Sequence, residues 1–221
     1  MPVRRQHPAE TLGILALSDD VSELLYSPQI TSLAQNVHLV LSCGDLPIEY
    51  LEYVVSMLNV PLYFVLGNHD GRGYWRSNGT HARLPQGCVH LEGRCAIESG
   101  LLLAGLGGSI RYGPQASYQF SEAEMWQRVL LLGLRLWINR LAHGRALDIL
   151  ITHSAPRGIN DGPDAAHRGF ASILWLLRVA RPRWHLHGHT TTVYSRPGPS
   201  TRYRESQVIF VPPYRLLEWE S

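Results

Sequence analysis

Five short apolar segments of the sequence each end in polar residues that can bind a metal ion or transfer a proton. The polar stretches are Ser18-Asp19-Asp20, Gly44-Asp45, Gly67-Asn68-His69-Asp70, Thr152-His153 and Gly188-His189-Thr190-Thr191. Ligands of an α/β sheet bind just beyond the carboxyl ends of its strands, so five such ends place their side chains in one region. Carboxylate, amide and imidazole donors without a thiolate suit Mn²⁺, Fe or Zn²⁺. The pattern therefore predicts a metal site at the carboxyl ends of the strands.

Each stretch also has a simpler structural explanation when it is taken alone. Asp19 or Asp45 at a strand end is more often a helix cap or a turn residue. A single histidine such as His153 is more often a hydrogen-bonded loop residue. At ordinary residue usage, the tetrapeptide 67–70 occurs by chance much less often than a single aspartate or histidine at a strand end. The five stretches together, each after an apolar run, favour a shared functional site.

The apolar runs of the first third of the chain alternate with helical patterns. Strands are predicted at 13–18, 37–42 and 61–66, with a helical pattern at 22–35 that Pro28 interrupts and a helix at 47–58 between them. This β-α-β-α-β order is typical of a parallel sheet that carries helices on its faces.

The rest of the chain changes character and contains more short strands. The pattern predicts antiparallel strands at 88–92, 94–98 and 101–106, a helix at 122–143, a strand at 147–152, a helix at 169–180, a strand at 184–187 and a closing pair of strands at 208–212 and 214–219. Ser121 and Glu124 have the spacing of a capping box at the start of the long helix. No linker divides the sequence, so we expect one domain over residues 1–221, with residues 1–11 as a loose arm.

Composition excludes several classes of function. The chain has 221 residues, a net charge of +2 and 20 basic residues, all of them arginine. Without lysine there is no Walker-type phosphate loop and no lysine Schiff base. The near-neutral charge disfavours long nucleic acids as partners. The sequence shows no membrane segment and no apolar leader, and its three cysteines lack a CxxC pair, so we expect a cytoplasmic location.

The ordered motifs resemble those of the calcineurin-like metallophosphoesterase family, most closely a small phosphodiesterase-type branch. The family pattern is D-x-H, then G-D, then G-N-H-[DE], then a lone histidine, then G-H-x-H. The resemblance covers about residues 12–215. It implies an α/β fold in which two mixed β-sheets and flanking helices form a four-layer αββα sandwich, with metals at the strand ends.

The resemblance also implies which residues hold the metals. A complete set for one ion consists of Asp45, Asn68, His153 and His189. The other ion keeps only Asp19 and the shared Asp45, because Val21 and Thr191 stand where the family has histidines. Asp20 or His187 could replace a missing ligand. We therefore expect one complete metal site and one weakened site.

In the family chemistry, a metal-activated water attacks phosphorus. The resemblance gives His69 the role of general acid and Asp70 that of orienting the ring of His69. Arginines that could bind the phosphate are Arg72, Arg157 and Arg168, and aromatic residues that could stack on a base are Tyr74, Trp75 and Tyr112. The expected substrate is a small phosphodiester or phosphomonoester, with nucleotides among the candidates.

Two functional classes remain open from the sequence. The first is a metal-dependent phosphoesterase with a weakened first metal site. The second is a catalytically degenerate protein of the same fold that binds a nucleotide or phosphate. Val21 and Thr191 favour the second class, whereas His69 and the complete ligand set favour the first. The oligomeric state is left open.

Overall fold

The computed structural model describes residues 11–70, 73–75, 79–113, 117–189 and 199–220, with the backbone alone at residues 74 and 75. In chain order, the elements are β1 (Thr11–Leu17), α1 (Ile30–Leu33), β2 (Val37–Ser42), α2 (Ile48–Leu58), β3 (Leu62–Phe64), β4 (Tyr74–Trp75), β5 (His81–Ala82), β6 (Val89–His90), β7 (Cys95–Glu98), β8 (Leu101–Leu106), β9 (Ser109–Ile110), β10 (Gln119–Phe120), α3 (Glu122–His143), β11 (Ile149–Thr152), α4 (Ala171–Ala180), β12 (Trp184–His187), β13 (Ser200–Tyr203), β14 (Ser206–Phe210) and β15 (Tyr214–Glu220).

Two mixed sheets form the middle of the fold. The first has the strand order β15-β1-β2-β3-β6, with β15 antiparallel to β1 and the other neighbours parallel. The second has the order β13-β14-β12-β11-β8-β7, and its outermost strand on each side is antiparallel. The parallel strands of each sheet therefore bring their carboxyl ends to the same edge.

The central strands are apolar on both faces because each sheet is covered on both sides. In β1, Ile14 and Ala16 pack into the core between the sheets, while Leu15 and Leu17 face the helices of the first sheet. Burying each such leucine or isoleucine contributes roughly 1.5–3 kcal/mol. The continuous apolar runs of the sequence thus follow from burial on two faces.

Helices form the two outer layers. Residues of α1 and α2 pack with the outer face of the first sheet, and residues of α3 and α4 with that of the second. The start of α3 is fixed by the predicted capping box of Ser121 and Glu124. No helix of the described residues is long and apolar enough to cross a membrane. The predicted αββα sandwich is therefore confirmed.

The predicted helix at 22–35 is wrong for most of its length. Only α1 is helical there, and the preceding residues form turns. Pro28 disfavours helical backbone at Ser27, whose hydroxyl instead donates to the carbonyl oxygen of Leu24 at 2.9 Å. Side-chain hydrogen bonds to the local backbone thus compete with the helix.

Two predicted strand pairings are also wrong. β6 does not pair with β7, since it lies parallel to β3 in the first sheet. β14 and β15 do not form a closing pair, because they belong to different sheets. Pro212 and Pro213 lie between β14 and β15, and two residues without an N–H group cannot supply the ladder of a tight hairpin.

Candidate metal centre

Both sheets contribute side chains to one cluster at their carboxyl edge. Asp19, Asp45, His153 and His189 each offer a ligand atom, and these four atoms lie within 4.8 Å of one another. The two aspartates follow β1 and β2, while the two histidines follow β11 and β12. A fifth group, the amide oxygen Oδ1 of Asn68, is 3.0 Å from Nε2 of His153. The predicted strand-end residues therefore meet where the two sheets meet.

Glycines in front of two of these residues make room for the carboxylates. A Cβ atom on Gly67 would lie 2.1 Å from Oδ1 of Asp45, and one on Gly188 would lie 2.1 Å from Oδ2 of Asp19. Real Cβ atoms do not approach other atoms so closely. The glycine of each motif is thus required by the close approach of an aspartate from another strand end.

Several backbone groups hold the carboxylates in place. The N–H of His69 donates to Oδ1 of Asp45 at 2.7 Å, and the N–H of His189 donates to Oδ1 of Asp19 at 3.1 Å. Asp19, Asp45 and His189 all have φ between 48° and 61°. This is the left-handed region of the backbone, which is unfavourable by about 1 kcal/mol or more for residues other than glycine. The fold therefore maintains unfavourable backbone geometry at three members of the cluster.

Carbonyl oxygens select which nitrogen of each histidine ring faces the cluster. Nδ1 of His153 donates to the carbonyl oxygen of Cys43 at 2.9 Å, so Nε2 points to the carboxylates. Nε2 of His189 donates to the carbonyl oxygen of Ala166 at 2.9 Å, which leaves Nδ1 as the ring nitrogen with a free lone pair. Such hydrogen bonds orient metal-binding histidines in proteins.

The charges of the cluster are strongly coupled. Burial opposes a charge on His153, but the carboxylate of Asp45, 3.2 Å from Nε2, raises the pKa of His153 to about 9. Burial also tends to raise the pKa of Asp45, yet the adjacent His153 holds that pKa below its ordinary value. Burial raises the pKa of Asp19. It lowers the pKa of His189 to about 3, so this ring is neutral.

This donor set fits a divalent cation. Two carboxylates, two imidazoles and an amide oxygen are ligands that Mn²⁺, Fe²⁺ and Zn²⁺ accept. A proton on His153 balances the charge of Asp45, and a divalent cation would perform the same role with more charge. The residues present are therefore consistent with a metal centre.

His69 lies at the edge of the cluster, and its side chain is exposed. It lines a cavity of about 310 Å³ together with Asp45, Leu46 and Asp70. Among the described contacts of Asp70, Oδ2 accepts the N–H groups of Gly67 and Asp45 at 2.7 and 2.8 Å, and none joins it to the ring of His69. Burial raises the pKa of Asp70 to about 6. Asp70 thus connects the second and third strand ends.

Of the three predicted phosphate-binding arginines, the structure describes Arg157 and Arg168. Arg72 lies outside the described residues. Arg157 donates to the carbonyl oxygen of Gly169 at 2.8 Å and pairs with Glu122 at 3.2 Å. Arg168 is exposed.

The two proposed replacement ligands are absent from the cluster that the described residues form. Asp20 is exposed, whereas His187 is fully buried inside β12 with its ring against Phe210. Val21 is 39% exposed, and Thr191 lies outside the described residues. Among the described residues, the group that could hold a metal consists of Asp19, Asp45, His153 and His189.

Sequence reasoning missed the groups that orient the ligands. The hydroxyl of Tyr112 accepts a hydrogen bond from Nδ2 of Asn68 at 3.1 Å, which turns the amide oxygen toward His153. The sequence alone indicates only a stacking role for Tyr112. The carbonyl oxygens of Cys43 and Ala166 have no signature in a sequence, because every residue carries one.

Comparison with known proteins identifies relatives of this arrangement. The family model described as calcineurin-like phosphoesterase matches residues 17–192. One solved crystal structure aligns with a TM-score of 0.62 and 13% identity, covering 95% of this chain and 99% of that chain. TT1561 of Thermus thermophilus aligns with a TM-score of 0.58 and 15% identity, covering 95% of this chain and 99% of that chain.

A third solved structure is more distant. It is GAP50, described as the anchor in the inner membrane complex of Plasmodium, with a TM-score of 0.52 and 13% identity over 90% of this chain and 71% of that chain. At these identities the solved structures show a shared fold alone. No curated protein sequence matches the chain significantly.

Proposed function

Because the chain belongs to the calcineurin-like phosphoesterase family, we propose that it hydrolyses a small phosphoester with a divalent metal bound at the strand-end cluster. The observation that carries this proposal is the convergence of four ligand atoms within 4.8 Å, contributed by Asp19, Asp45, His153 and His189. Mn²⁺, Fe²⁺ and Zn²⁺ are the candidate ions, and Mn²⁺ is the first to test.

The ligand atoms follow from the hydrogen bonds of the cluster. Nε2 of His153 and Nδ1 of His189 would bind the ion, since carbonyl oxygens occupy the other ring nitrogens. Carboxylate oxygens of Asp19 and Asp45 and the amide oxygen of Asn68 complete the set. The bound ion supplies Lewis acidity toward the phosphoryl oxygens and toward the attacking water.

His69 is proposed as the general acid. Its backbone N–H is held by Asp45, while its exposed ring borders the cavity beside the cluster. A proton delivered from this ring would neutralise the leaving oxygen as the ester bond breaks. Asp70 is proposed to position the loop that carries His69, since its carboxylate joins two strand ends.

The substrate is proposed to be a phosphodiester or phosphomonoester of modest size. The cavity of about 310 Å³ beside His69 has room for a small leaving group. Arg72 and Arg168 remain proposed phosphate contacts. Arg157 remains a weaker one, because Gly169 and Glu122 already engage its guanidinium. A nucleotide is one substrate to include in a screen.

A binding protein without turnover is the second candidate. It is favoured by Val21, which stands at a histidine position of the family motif and carries no ligand atom. One ion would then position a phosphate without the second ion that assists its hydrolysis. We propose the cytoplasm as the location for either function, because all three cysteines are free.

The deciding experiment compares two neighbouring aspartates. Asp19 is in the cluster, whereas Asp20 is exposed and outside it. Asp19→Asn and Asp20→Asn each remove one charge and change the chain at adjacent positions. We expect Mn²⁺-dependent hydrolysis of a nitrophenyl phosphodiester or phosphomonoester by the wild type and by Asp20→Asn, with a large loss for Asp19→Asn.

The same assay separates the two candidates. Metal content per chain is measured in parallel by elemental analysis across Mn²⁺, Fe²⁺, Zn²⁺ and Mg²⁺. A wild type that binds the metal but hydrolyses no phosphoester would support the binding protein. Equal losses for both variants would show that charge near β1, not ligation by Asp19, determines the activity.

A further inference from the structure

The outer surface of α3 carries an unusual number of exposed large apolar side chains. Six of its residues and one of α4 form this apolar face: Leu130, Leu131, Leu134, Trp137, Ile138, Leu141 and Val179. Their exposed fractions run from 42% at Val179 to 68% at Leu141. The opposite side of α3, with Met125, Val129 and Leu132, is buried against the second sheet.

The apolar face is large enough for a stable interface. Taking about 200 Å² for a fully exposed large apolar residue, the seven residues together present on the order of 800 Å². The largest apolar patch of an ordinary monomer is about 300–600 Å². A standard interface buries about 800 Å² on each partner. The face therefore has the area that one side of a specific complex needs.

The spacing of the central residues is the same when it is read from either end of the helix. Leu130, Leu134, Trp137 and Leu141 are separated by four, three and four positions. Two antiparallel copies related by a two-fold axis would therefore place Leu130 against Leu141, and Leu134 against Trp137, at both ends of the contact. A two-fold interface requires such self-complementarity. We propose that this face binds a second copy of the chain, with the two α3 helices antiparallel.

A groove next to these residues provides room for side chains of the second copy. A cavity of about 350 Å³ lies between α3 and α4 and is lined by Gly133, Trp137, Trp175 and Val179. An added Cβ at Gly133 would meet nothing within 4 Å. The absence of a side chain at Gly133 therefore leaves the groove open beside Trp137.

The charges of α3 do not oppose this pairing. Glu122 and Glu124 lie in the first turn, and Arg135 donates to the carbonyl oxygen of Gly93 in the same chain. Arg140 borders the face, but its two copies would be separated by about 13 Å along the helix axis at 1.5 Å per residue. That separation exceeds the Debye length at physiological salt.

Two other occupants fit the face less well. Residues 1–10 of the same chain contain only Met1 and Val3 as large apolar residues, too few to cover it. A helix that lies on a membrane carries basic residues along its polar face. In α3 the side opposite the apolar face is packed against the second sheet, so it offers no such charged face.

The first test measures the molecular mass by sedimentation velocity between about 1 and 100 µM, the range in which interfaces of this size are commonly populated. We expect a dimer for the wild type. Leu134→Glu places a charge at the centre of the contact and should weaken the dimer by about 100-fold or more. Leu216→Glu is the matched control, since Leu216 is an exposed leucine of β15, outside the face, and should leave the dimer unchanged.

Three results would overturn the proposal. One is a wild type that stays monomeric at about 100 µM, within the range expected for interfaces of this size. Another is a dimer that Leu134→Glu does not weaken. The third is a monomer that binds anionic phospholipid vesicles through this face, which would assign it to a lipid surface.

A second test works even if Leu134→Glu does not fold. Leu130→Cys and Leu141→Cys chains are prepared separately, mixed and oxidised. The antiparallel register predicts a disulfide-linked dimer in the mixture and little in either variant alone, where Cys43, Cys88 and Cys95 report the background. Cross-linking of Leu130→Cys with itself would indicate parallel helices, and absence of cross-linking in the mixture would exclude the contact.

Discussion

In most folded proteins, polar side chains are exposed and large apolar side chains are buried. The strand-end cluster and the outer face of α3 depart from this pattern in opposite directions. At the cluster, Asn68, His153 and His189 are buried although they are polar. On α3, residues such as Leu134 and Trp137 are exposed by more than 60% although they are apolar. A folded chain gains nothing by itself from either arrangement. Each makes sense once a second component is added, an ion at the cluster and a protein surface at α3.

The two regions also differ in how tightly the backbone is constrained. Three members of the cluster have positive φ, and the carboxylates occupy space that a Cβ of Gly67 or Gly188 would need. In α3 the backbone is regular and Gly133 faces open space. Functional geometry is therefore specified by many contacts at the cluster, whereas on α3 it is specified only by the side chains that the surface presents.

The largest effect is expected from removing a buried ligand. His153→Asn should abolish metal retention and lower activity by at least about 100-fold, since loss even of groups that merely orient a ligand costs about 10–100-fold. His143→Asn at the end of α3 is the control and should change neither. Elemental analysis and phosphodiester hydrolysis measure both. An active, metal-loaded His153→Asn protein would remove the cluster from the mechanism.

A second substitution separates metal binding from proton transfer. His69→Ala should lower the rate on an alkyl phosphoester by about 100-fold or more and on a nitrophenyl ester much less, because a good leaving group needs no proton. Metal content should stay at the wild-type level. Equal losses on both esters would instead indicate that His69 positions the substrate.

Because the backbone is tightly constrained at the cluster and open on α3, replacing a glycine by alanine should have opposite effects on stability in the two regions. Gly67→Ala forces a Cβ against the Asp45 carboxylate and should cost about 1–3 kcal/mol of unfolding free energy, together with weaker metal binding. Gly133→Ala should be neutral or stabilise α3 by about 0.5–1 kcal/mol. Urea unfolding of both variants below the concentration of dimer formation provides the comparison. If Gly67→Ala changed neither the unfolding free energy nor metal binding, the cluster would have to shift enough to accommodate the added methyl group.

The smallest effect is expected at His185, a buried histidine of β12. Nε2 of His185 lies 2.7 Å from the hydroxyl of Thr152, which donates to the carbonyl oxygen of Ser154, so Nε2 of His185 donates to that hydroxyl. Burial lowers the pKa of His185 well below its ordinary value. The unfolded state therefore binds the proton more readily than the folded state.

The stability that neutral His185 contributes is complete above about pH 6.5 and is lost as the pH falls below it. Relative to His185→Gln, the wild type should lose up to about 1.4 kcal/mol for each pH unit in that acidic range. Unfolding free energies of both proteins from about pH 7.5 to about pH 5 provide the measurement. Parallel curves would show that His185 does not titrate on unfolding.

The sequence pattern was sufficient for the strands of the site and for the residues of the cluster, whereas the four layers were implied by the family resemblance. The apolar runs before Asp19, Asp45 and His153 are strands that are buried on both faces. Because the carboxyl ends of these strands meet at one edge, the side chains of Asp19, Asp45 and His153 come together there. The capping box at Ser121 predicted the start of α3 correctly. These features depend on local patterns that a single strand or helix carries in its own sequence.

What sequence reasoning could not predict depends on contacts between distant segments. The pairing of β6 with β3, and of β15 with β1, is decided by which sheet edge is free, and not by the strands themselves. The orientation of His153 depends on a carbonyl oxygen of Cys43, 110 positions away in the chain. The exposure of α3's apolar face was equally hidden, because an apolar stretch does not show which of its residues the second sheet covers.

The strand-end cluster is proposed to hold the catalytic metal, and the position of the ion tests this proposal most directly. Crystals soaked in Mn²⁺ give the anomalous difference density that locates the ion. We predict a peak bonded to His153 and His189 together with the carboxylates of Asp19 and Asp45, and occupancy that disappears in Asp45→Asn. A peak at any other position, or none in protein that hydrolyses phosphoesters with Mn²⁺, would contradict the account.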